Sequence, residues 1–146
     1  MKNGRMVSEN LFRKARKHYL KGHTRIATLY RFILRLSCSC DVFPQTQIAE
    51  NVRFQHNLLG CVIHPGSIID EGCVIYQNVT LGGNTKQKKD GSVYNEGAPH
   101  IERNCIIFSG AVIAGPITIG EGSIIGANAV VTRSCPPHTK IVAWHR

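Results

Sequence analysis

Aliphatic residues recur at every sixth position along most of this chain, in three runs separated by short or long interruptions. The positions are Val42, Ile48 and Phe54; Ile63, Ile69, Ile75 and Leu81; and Ile101, Ile107, Ile113, Ile119, Ile125 and Val131. A period of six fits neither an amphipathic helix nor the alternation of a half-buried strand. It predicts a triangular coil in which each hexapeptide forms one face and points one aliphatic side chain inward. Residues 42–59, 63–80, 101–118 and 119–136 would each form one such coil.

A second feature of the repeat is a small or β-branched residue four positions after most of the aliphatics. These residues are Ser67, Cys73, Val79, Cys105, Ala111, Ile117, Ser123, Ala129 and Cys135. They suit a tight corner, and pairs such as Pro65-Gly66 and Glu121-Gly122 supply turns between them. Stacked coils bury a continuous aliphatic column that a single coil cannot bury alone. The pattern therefore predicts an all-β solenoid over residues 39–146.

Two interruptions break the register of the repeat. Residues 60–62 add three positions after the first coil, and a polar, basic stretch separates Leu81 from Ile101. The second interruption predicts a protruding loop at about residues 84–100. Long insertions in compact domains are usually functional or disordered, and those of solenoids often project on the binding side.

Residues 1–38 show helical rather than sixfold patterning. Ser8 is a candidate N-cap for a helix over residues 8–21, and Thr24 for a second helix. The second helix carries an apolar stripe at Ile26, Leu29, Tyr30, Ile33 and Leu34. We expect this stripe to cover the open end of the first coil, in preference to a role at a membrane surface.

Charge and cysteine content narrow the functional classes. The net charge of +9 suggests an anionic partner, but no nucleic-acid recognition motif is present, so no nucleic-acid partner is expected. The apolar runs are far shorter than the roughly 20 residues of a membrane span, which argues against stable membrane insertion.

The six cysteines include no CxxC pair. They are interpreted mainly as core thiols of a reducing compartment, and with no signal peptide recognisable the expected location is the cytoplasm.

Residues 38–140 resemble the hexapeptide-repeat acyltransferases, whose repeats follow the pattern [LIV]-G-x-x-[STAV]-x. The segments IYQNVTLGG at 75–83 and VVTRSCPPHT at 130–139, with the long loop between them, resemble the serine O-acetyltransferase branch. That branch also contains O-acetyltransferases of polysaccharide loci. The resemblance implies a left-handed parallel β-helix, a homotrimer and acetyl-CoA as the acetyl donor.

The same resemblance implies a catalytic dyad. In serine acetyltransferases an Asp precedes the catalytic His by fifteen residues, and Asp41 and His56 have this spacing. His56 would be the general base and Asp41 its partner, because a carboxylate fixes the imidazole tautomer and stabilises the imidazolium. Backbone N–H groups of Gly82 or Gly83 would meet the developing oxyanion. Without the family context, either residue alone is as easily a turn or surface residue.

Other site residues follow from the family motif. The backbone at Gly83, Ser109 and Ala127 would line a CoA groove between neighbouring subunits, and Lys140 would meet its phosphates. Gln55 stands where the family usually has Asp, and with His100 it is a candidate contact for the acceptor. Any of Lys86, Lys88 and Lys89 in the loop would also suit the phosphates.

The identity of the acceptor stays open between serine and a sugar hydroxyl. The branch resemblance favours serine. A sugar is favoured because Gly97-Ala98 precede Pro99 where the family carries Arg-His, and because the helical segment is short.

A γ-type carbonic anhydrase is disfavoured, since only His18 and His23 have its five-residue spacing and they lie outside the repeats. No metal is therefore expected, and the presence of the Asp41/His56 pair disfavours a non-catalytic scaffold.

Overall fold

The computed structural model describes residues 6–143, which form two α-helices followed by a three-sided parallel β-helix. Helix α1 spans Val7–Leu20 and α2 spans Thr24–Cys38. Helix α2 ends where Ser39 adopts a left-handed conformation with φ 50°, and the N–H of Ser39 bonds the carbonyl of Arg35. The chain then enters the first strand.

Short strands follow one another around the three faces. In chain order they are β1 Asp41–Val42, β2 Gln47–Ile48, β3 Arg53–Phe54, β4 Val62–Ile63, β5 Ile68–Ile69, β6 Val74–Ile75, β7 Thr80–Gly82, β8 Thr85–Gln87, β9 Val93–Asn95, β10 His100–Ile101, β11 Ile106–Ile107, β12 Val112–Ala114, β13 Thr118–Ile119, β14 Ile124–Ile125, β15 Val130–Val131 and β16 Lys140–Ile141. Sheet A has the order β1-β4-β7-β12-β15, sheet B β13-β10-β5-β2, and sheet C β16-β14-β11-β6-β3. All pairings within these three sheets are parallel.

The aliphatic column lies inside the solenoid as the sixfold period predicts. All thirteen aliphatic or aromatic positions of the repeat are at most 5% exposed. The register stacks them directly, for example Ile69 on Ile101 and Ile101 on Ile119. Burying each such side chain contributes about 1.5–3 kcal/mol relative to exposing it, so this column is the main source of stability.

Helix α1 covers the free edge of the first coil. That edge has no neighbouring coil to satisfy its backbone groups. The guanidinium of Arg13 donates to the carbonyls of Ile48 and Ala49, both at 2.7 Å, and Arg16 donates to that of Thr46 at 2.7 Å. The carboxylate of Glu9 accepts the N–H of Phe54 at 2.9 Å. Charged side chains of α1 thus replace the missing coil, while Phe12 joins the apolar core.

The structure corrects three expectations for the helices. Ser8 does not cap α1, since it is buried inside the helix with its hydroxyl 3.5 Å from Asn57 Oδ1. Thr24 begins α2 rather than capping it, because the cap position is His23. The apolar stripe of α2 is not the face that covers the coil: Leu34 is buried, but Leu29 is 57% exposed and Ile26 and Ile33 are also exposed. The buried face of α2 consists of Ala27, Leu34 and Cys38.

The long insertion is more ordered than a structureless loop. Strands β8 and β9 pair antiparallel as a hairpin between β7 and β10. Lys86 Nζ lies 2.9 Å from Glu96 Oε1, and Asn84 donates to the other oxygen of the same carboxylate at 3.0 Å. The polar residues of the insertion therefore bond to one another across its base.

The six cysteines are free thiols, five of them buried and Cys135 partly exposed. Burial raises the pKa of Cys61 to about 11 and that of Cys40 to about 12. Since the thiolate is the reactive form, these thiols are unreactive at neutral pH. We expect a disulfide-exchange reagent to titrate one thiol quickly in the native protein and six after denaturation. Fast titration of four or more native thiols would contradict this packing.

Gly120 is held in place by the chain that crosses it. A Cβ added there would lie 2.4 Å from Pro137 N and 2.5 Å from the carbonyl carbon of Pro136. These are backbone atoms and cannot move aside cheaply, so we expect Gly120→Ala to destabilise the fold by about 2 kcal/mol or more. Thermal unfolding checks this, with Gly82→Ala as the control because its nearest neighbour would be 3.8 Å away. Equal melting temperatures for the two variants would show that the crossing chain is not fixed there.

Candidate active site

His56 lies in an unusual turn between sheets C and A. His56, Asn57 and Leu58 follow one another with φ values of 52°, 56° and 60°. Positive φ is uncommon for residues other than glycine, and such strain clusters at functional sites. Leu58 is fully buried and anchors the turn, whereas His56 is exposed. The turn thus presents an imidazole to solvent at a corner of the solenoid.

An aromatic row runs along the solenoid from His56. The rings of His56 and Tyr76 are tilted with their centroids 6.4 Å apart, and Tyr76 stacks on Phe108 at 5.0 Å. Each ring comes from a successive coil, just after a strand of sheet C. Within residues 6–143 the His56 ring takes part in no hydrogen bond, so its nitrogens face an open surface bordered by aromatic rings.

Asp41 begins sheet A, in the coil beside this turn. The segment that follows His56 leads into β4, which pairs with β1 so that Val62 lies beside Asp41. The N–H of Gly60 bonds the carbonyl of Cys38 at 3.2 Å, which ties the turn to the residues before Asp41. The two candidate residues therefore belong to the same corner of adjoining coils.

The carboxylate of Asp41 is held by α2 rather than by His56. Arg31 donates twice to Oδ1 of Asp41, from Nη2 at 2.7 Å and from Nε at 3.2 Å. Its guanidinium also lies 3.6 Å from the centroid of the Phe43 ring. The other oxygen, Oδ2, is only 4.0 Å from Arg35 Nη1 and makes no closer charge contact in the described chain. Arg31 thus fixes one carboxylate oxygen, and the second accepts no side-chain hydrogen bond from the residues that the structure describes.

The residues predicted to contact CoA fall on neighbouring faces. The register of sheet C aligns Phe54 with Ile75, Ile107 and Ile125. Two positions further along the same corner are His56, Gln77, Ser109 and Ala127, so Ser109 and Ala127 continue the line below the candidate base. Gly82 pairs with Ala114 in sheet A, and Gly83 follows it into the insertion. Lys140 begins β16, on the last coil of sheet C. These placements permit a shared groove, and the CoA contacts stay predictions.

His100 is engaged on sheet B instead. Its Nε2 lies 2.8 Å from Asp70 Oδ2, and both side chains are 37% exposed. Its role at the acceptor stays a prediction, as does that of Gln55, which directly precedes His56 in the turn. His64, the other histidine near the corner, accepts the N–H of Gly66 through Nδ1 at 3.1 Å.

Sequence reasoning missed the residues that meet these candidates. Arg31, Tyr76, Phe108 and Asp70 all act through contacts between distant parts of the chain. The repeat predicts only that Tyr76 and Phe108 point outward, because each directly follows an inward aliphatic residue. In the part of the chain that the structure describes, no three His, Cys, Asp or Glu residues come together to hold a metal ion.

Comparisons with known proteins find a transferase family model and several serine acetyltransferases. The family model described as bacterial transferase hexapeptide (six repeats) matches residues 98–133. Serine acetyltransferase of Salmonella typhimurium is 33% identical over 124 residues, which cover 84% of this chain and 43% of that enzyme. The crystal structure of serine acetyltransferase from Vibrio cholerae is similar with a TM-score of 0.80 and 30% identity, covering 91% of this chain and 49% of that one. The structure of Neisseria gonorrhoeae serine acetyltransferase in complex with serine gives a TM-score of 0.81 at 25% identity, covering 94% and 53%.

The chain spans between 43% and 57% of the length of the curated serine acetyltransferases that it matches. The similarity to the solved enzymes also gives the handedness, so the solenoid is a left-handed parallel β-helix.

Proposed function

Because the chain belongs to the hexapeptide-repeat acyltransferases, in their serine acetyltransferase-like branch, we propose that it transfers an acetyl group from acetyl-CoA to a hydroxyl. The observation that carries the proposal is the corner at which His56 and Asp41 lie on adjoining coils. His56 is exposed there on a strained turn, and Asp41 is oriented by Arg31, with its second oxygen 4.0 Å from Arg35 Nη1. A base with a fixed carboxylate nearby is what acyl transfer to a hydroxyl requires.

The chemistry needs only the side chains of this corner and a few backbone donors. His56 takes the proton of the acceptor hydroxyl as its oxygen bonds to the thioester carbon. Asp41 stabilises the imidazolium that forms, and backbone N–H groups of Gly82 or Gly83 stabilise the negative charge on the carbonyl oxygen. As the carbon–sulfur bond breaks, the imidazolium returns the proton to sulfur, which gives CoA and the acetyl ester. No covalent bond to the protein forms in this scheme.

We propose that the working unit is a homotrimer. Acetyl-CoA would lie between two β-helices, with its pantetheine arm along the line of Ser109 and Ala127. The small side chains on this line leave room for an extended chain, and the stacked rings of Tyr76 and Phe108 give it an apolar border. Lys140 on the last coil would meet phosphate groups, because an ammonium is a point charge that pairs with them.

Serine is the first candidate acceptor, because relatives with at least 30% identity include several serine acetyltransferases. A sugar hydroxyl is the second, favoured by the end of the insertion. There the residues before Pro99 are Gly97 and Ala98, which have no charge to hold an amino acid. Glu96 nearby is already paired with Lys86. The free cysteines fit a reducing compartment, and we propose that the reaction takes place in the cytoplasm.

The test is CoA release from acetyl-CoA, followed by the absorbance of the thioester bond rather than by a thiol reagent, since Cys135 is partly exposed. L-serine and a panel of simple and nucleotide-linked sugars serve as acceptors, and mass spectrometry identifies the ester. Release that depends on serine supports the first acceptor, and release that depends only on a sugar supports the second. Absence of release with every acceptor, in a protein shown by binding assay to take up acetyl-CoA, would overturn the transferase proposal.

A further inference from the structure

The net positive charge of this protein comes entirely from residues 1–38, its helical end. Residues 1–38 contain ten Lys and Arg residues and a single acidic residue, Glu9. Residues 39–146 contain eight basic and eight acidic residues, so the β-helix carries no net charge. The one acidic side chain of the helical end is buried against Phe54, where it accepts a backbone N–H. The outer surface of α1 and α2 therefore presents only positive formal charges.

The basic residues of this end divide into two groups. Arg13, Arg16 and Arg31 point toward the solenoid and bond its carbonyls or Asp41. Of the remaining basic residues that the structure describes, all are exposed, and one of them, Arg35, lies 4.0 Å from Asp41 Oδ2; they are Lys14, Lys17, Lys21, Arg25 and Arg35. The exposed group is available to an anionic partner.

Helix α2 exposes an apolar stripe beside these charges, which contains Phe32 and Leu36 in place of the Tyr30 and Leu34 of the predicted stripe. Its members are 42% (Ile26), 57% (Leu29), 57% (Phe32), 39% (Ile33) and 71% (Leu36) exposed. They recur at the spacing of one helix face, opposite the face of Ala27, Leu34 and Cys38 that packs inward. A contiguous exposed apolar patch with a polar rim marks an interaction surface.

The combination of charge and apolar stripe selects among partners. A second copy of the same helix would bring like charges together, since each copy presents Lys and Arg with no exposed acid. A nucleic acid would pair with the charges but leave Leu29, Phe32 and Leu36 in water. An anionic lipid surface satisfies both, because its headgroups attract basic side chains while its acyl boundary accepts an apolar face.

We propose that α1 and α2 bind the surface of an anionic phospholipid bilayer, with α2 lying in the interface and its stripe turned toward the acyl chains. Within residues 6–143 no helix is both long and apolar enough to cross a membrane. The proposed contact is peripheral, with α2 lying in the interface. Arg31 lies on the same helix and bonds Asp41, so the surface would hold the candidate active site close to the bilayer.

The test is cosedimentation of the purified full-length protein with phosphatidylcholine vesicles, with and without about one-third phosphatidylglycerol. We expect binding only to the anionic vesicles, and we expect it to weaken as salt rises from about 0.05 to about 0.5 M. The variant Leu29→Ser/Phe32→Ser/Leu36→Ser should raise the lipid concentration for half-binding at least about tenfold. Lys14→Gln/Lys17→Gln/Lys21→Gln/Arg25→Gln should raise it by a similar factor or more.

Matched variants on the β-helix serve as controls. Val93→Ser/Val130→Ser removes apolar groups that are 64% and 69% exposed, and Lys88→Gln/Lys89→Gln/Arg103→Gln/Arg133→Gln removes as many charges. Both should bind vesicles as the wild type does. Equal binding to neutral and anionic vesicles, or unchanged binding of the α2 variant, would overturn the proposal. So would a smaller assembly for the α2 variant in sedimentation, because the stripe would then contact another copy. Vesicle binding is measured without acetyl-CoA or acceptor, so its outcome does not depend on transferase activity.

Discussion

Replacing His56 with alanine is expected to lower kcat for acetyl transfer by about 10²- to 10⁴-fold while leaving the folded assembly intact. A positioned general base contributes a factor of this size, and no other imidazole lies in the turn between sheets C and A. The side chain is exposed and supports no core packing, so its loss removes chemistry rather than stability. Steady-state kinetics with saturating acetyl-CoA and the acceptor that the CoA-release assay identifies measure the effect.

The strained backbone at this position calls for a second variant. His56 has φ 52°, and asparagine adopts this conformation more readily than alanine does. His56→Asn should therefore melt with the wild type and lose activity to the same extent as His56→Ala. The control is His64→Ala, because His64 also lies at a corner of the solenoid, where its Nδ1 accepts the backbone N–H of Gly66. Near-normal turnover in His56→Asn, or a larger loss in His64→Ala, would contradict the assignment of the base.

The architecture of the solenoid was predictable because its signal is local and repeated. Each hexapeptide contributes one inward aliphatic, and a single missing position would shift every later one. The column from Val42 to Val131 is buried as the period predicts. The same logic predicted the place of the insertion, where the period is lost between Leu81 and Ile101. It did not predict the hairpin of β8 and β9, since short polar strands in an insertion carry no period.

The helical end was harder to predict because two faces of α2 are apolar. Sequence periodicity finds an apolar stripe but does not state which neighbour it meets. The face of α2 that packs inward is the narrower one, with Ala27, Leu34 and Cys38. The small side chains of Ala27 and Cys38 let the helix approach the rest of the fold closely. The arginines that cover the first coil resemble ordinary surface charges in the sequence. The sequence does not distinguish Arg13, which donates to the carbonyls of Ile48 and Ala49, from the neighbouring Lys14, which is exposed.

The candidate site was predictable only through family resemblance. Asp and His separated by fifteen residues have no meaning in an arbitrary chain. In this repeat, the spacing places them on adjoining coils at one corner, which β1 and β4 bring together. The partner that holds Asp41 lies on a helix outside the repeat. No pattern within the repeats indicates Arg31, so its contact with the carboxylate emerges only from the three-dimensional arrangement.

The contact between Arg31 and Asp41 allows two interpretations of the carboxylate. Asp41 is either a member of the dyad or only the residue that anchors α2. Both oxygens matter to the distinction: Arg31 donates twice to Oδ1, whereas Oδ2 lies 4.0 Å from Arg35 Nη1 and would have to meet His56 if Asp41 belongs to the dyad. If Asp41 is in the dyad, Asp41→Asn should lower kcat by about 10²- to 10⁴-fold, because the amide no longer stabilises the imidazolium. Arg31→Gln should lower kcat about tenfold, since the carboxylate stays but is no longer fixed in place.

An anchoring role alone predicts small effects on stability and almost none on kcat. Both side chains of the pair are about one-quarter exposed, so an ion pair here stabilises the fold by no more than about 1 kcal/mol. Asp41→Asn and Arg31→Gln would then lower the melting temperature by similar small amounts and leave kcat nearly unchanged. The double variant decides between the two, with thermal unfolding and kcat measured on the same samples. In the dyad, Arg31→Gln adds little once Asp41 is Asn, because Arg31 acts on the reaction only through the carboxylate that it holds. A rise in kcat on Arg31→Gln would instead show that the arginine competes with His56 for Asp41.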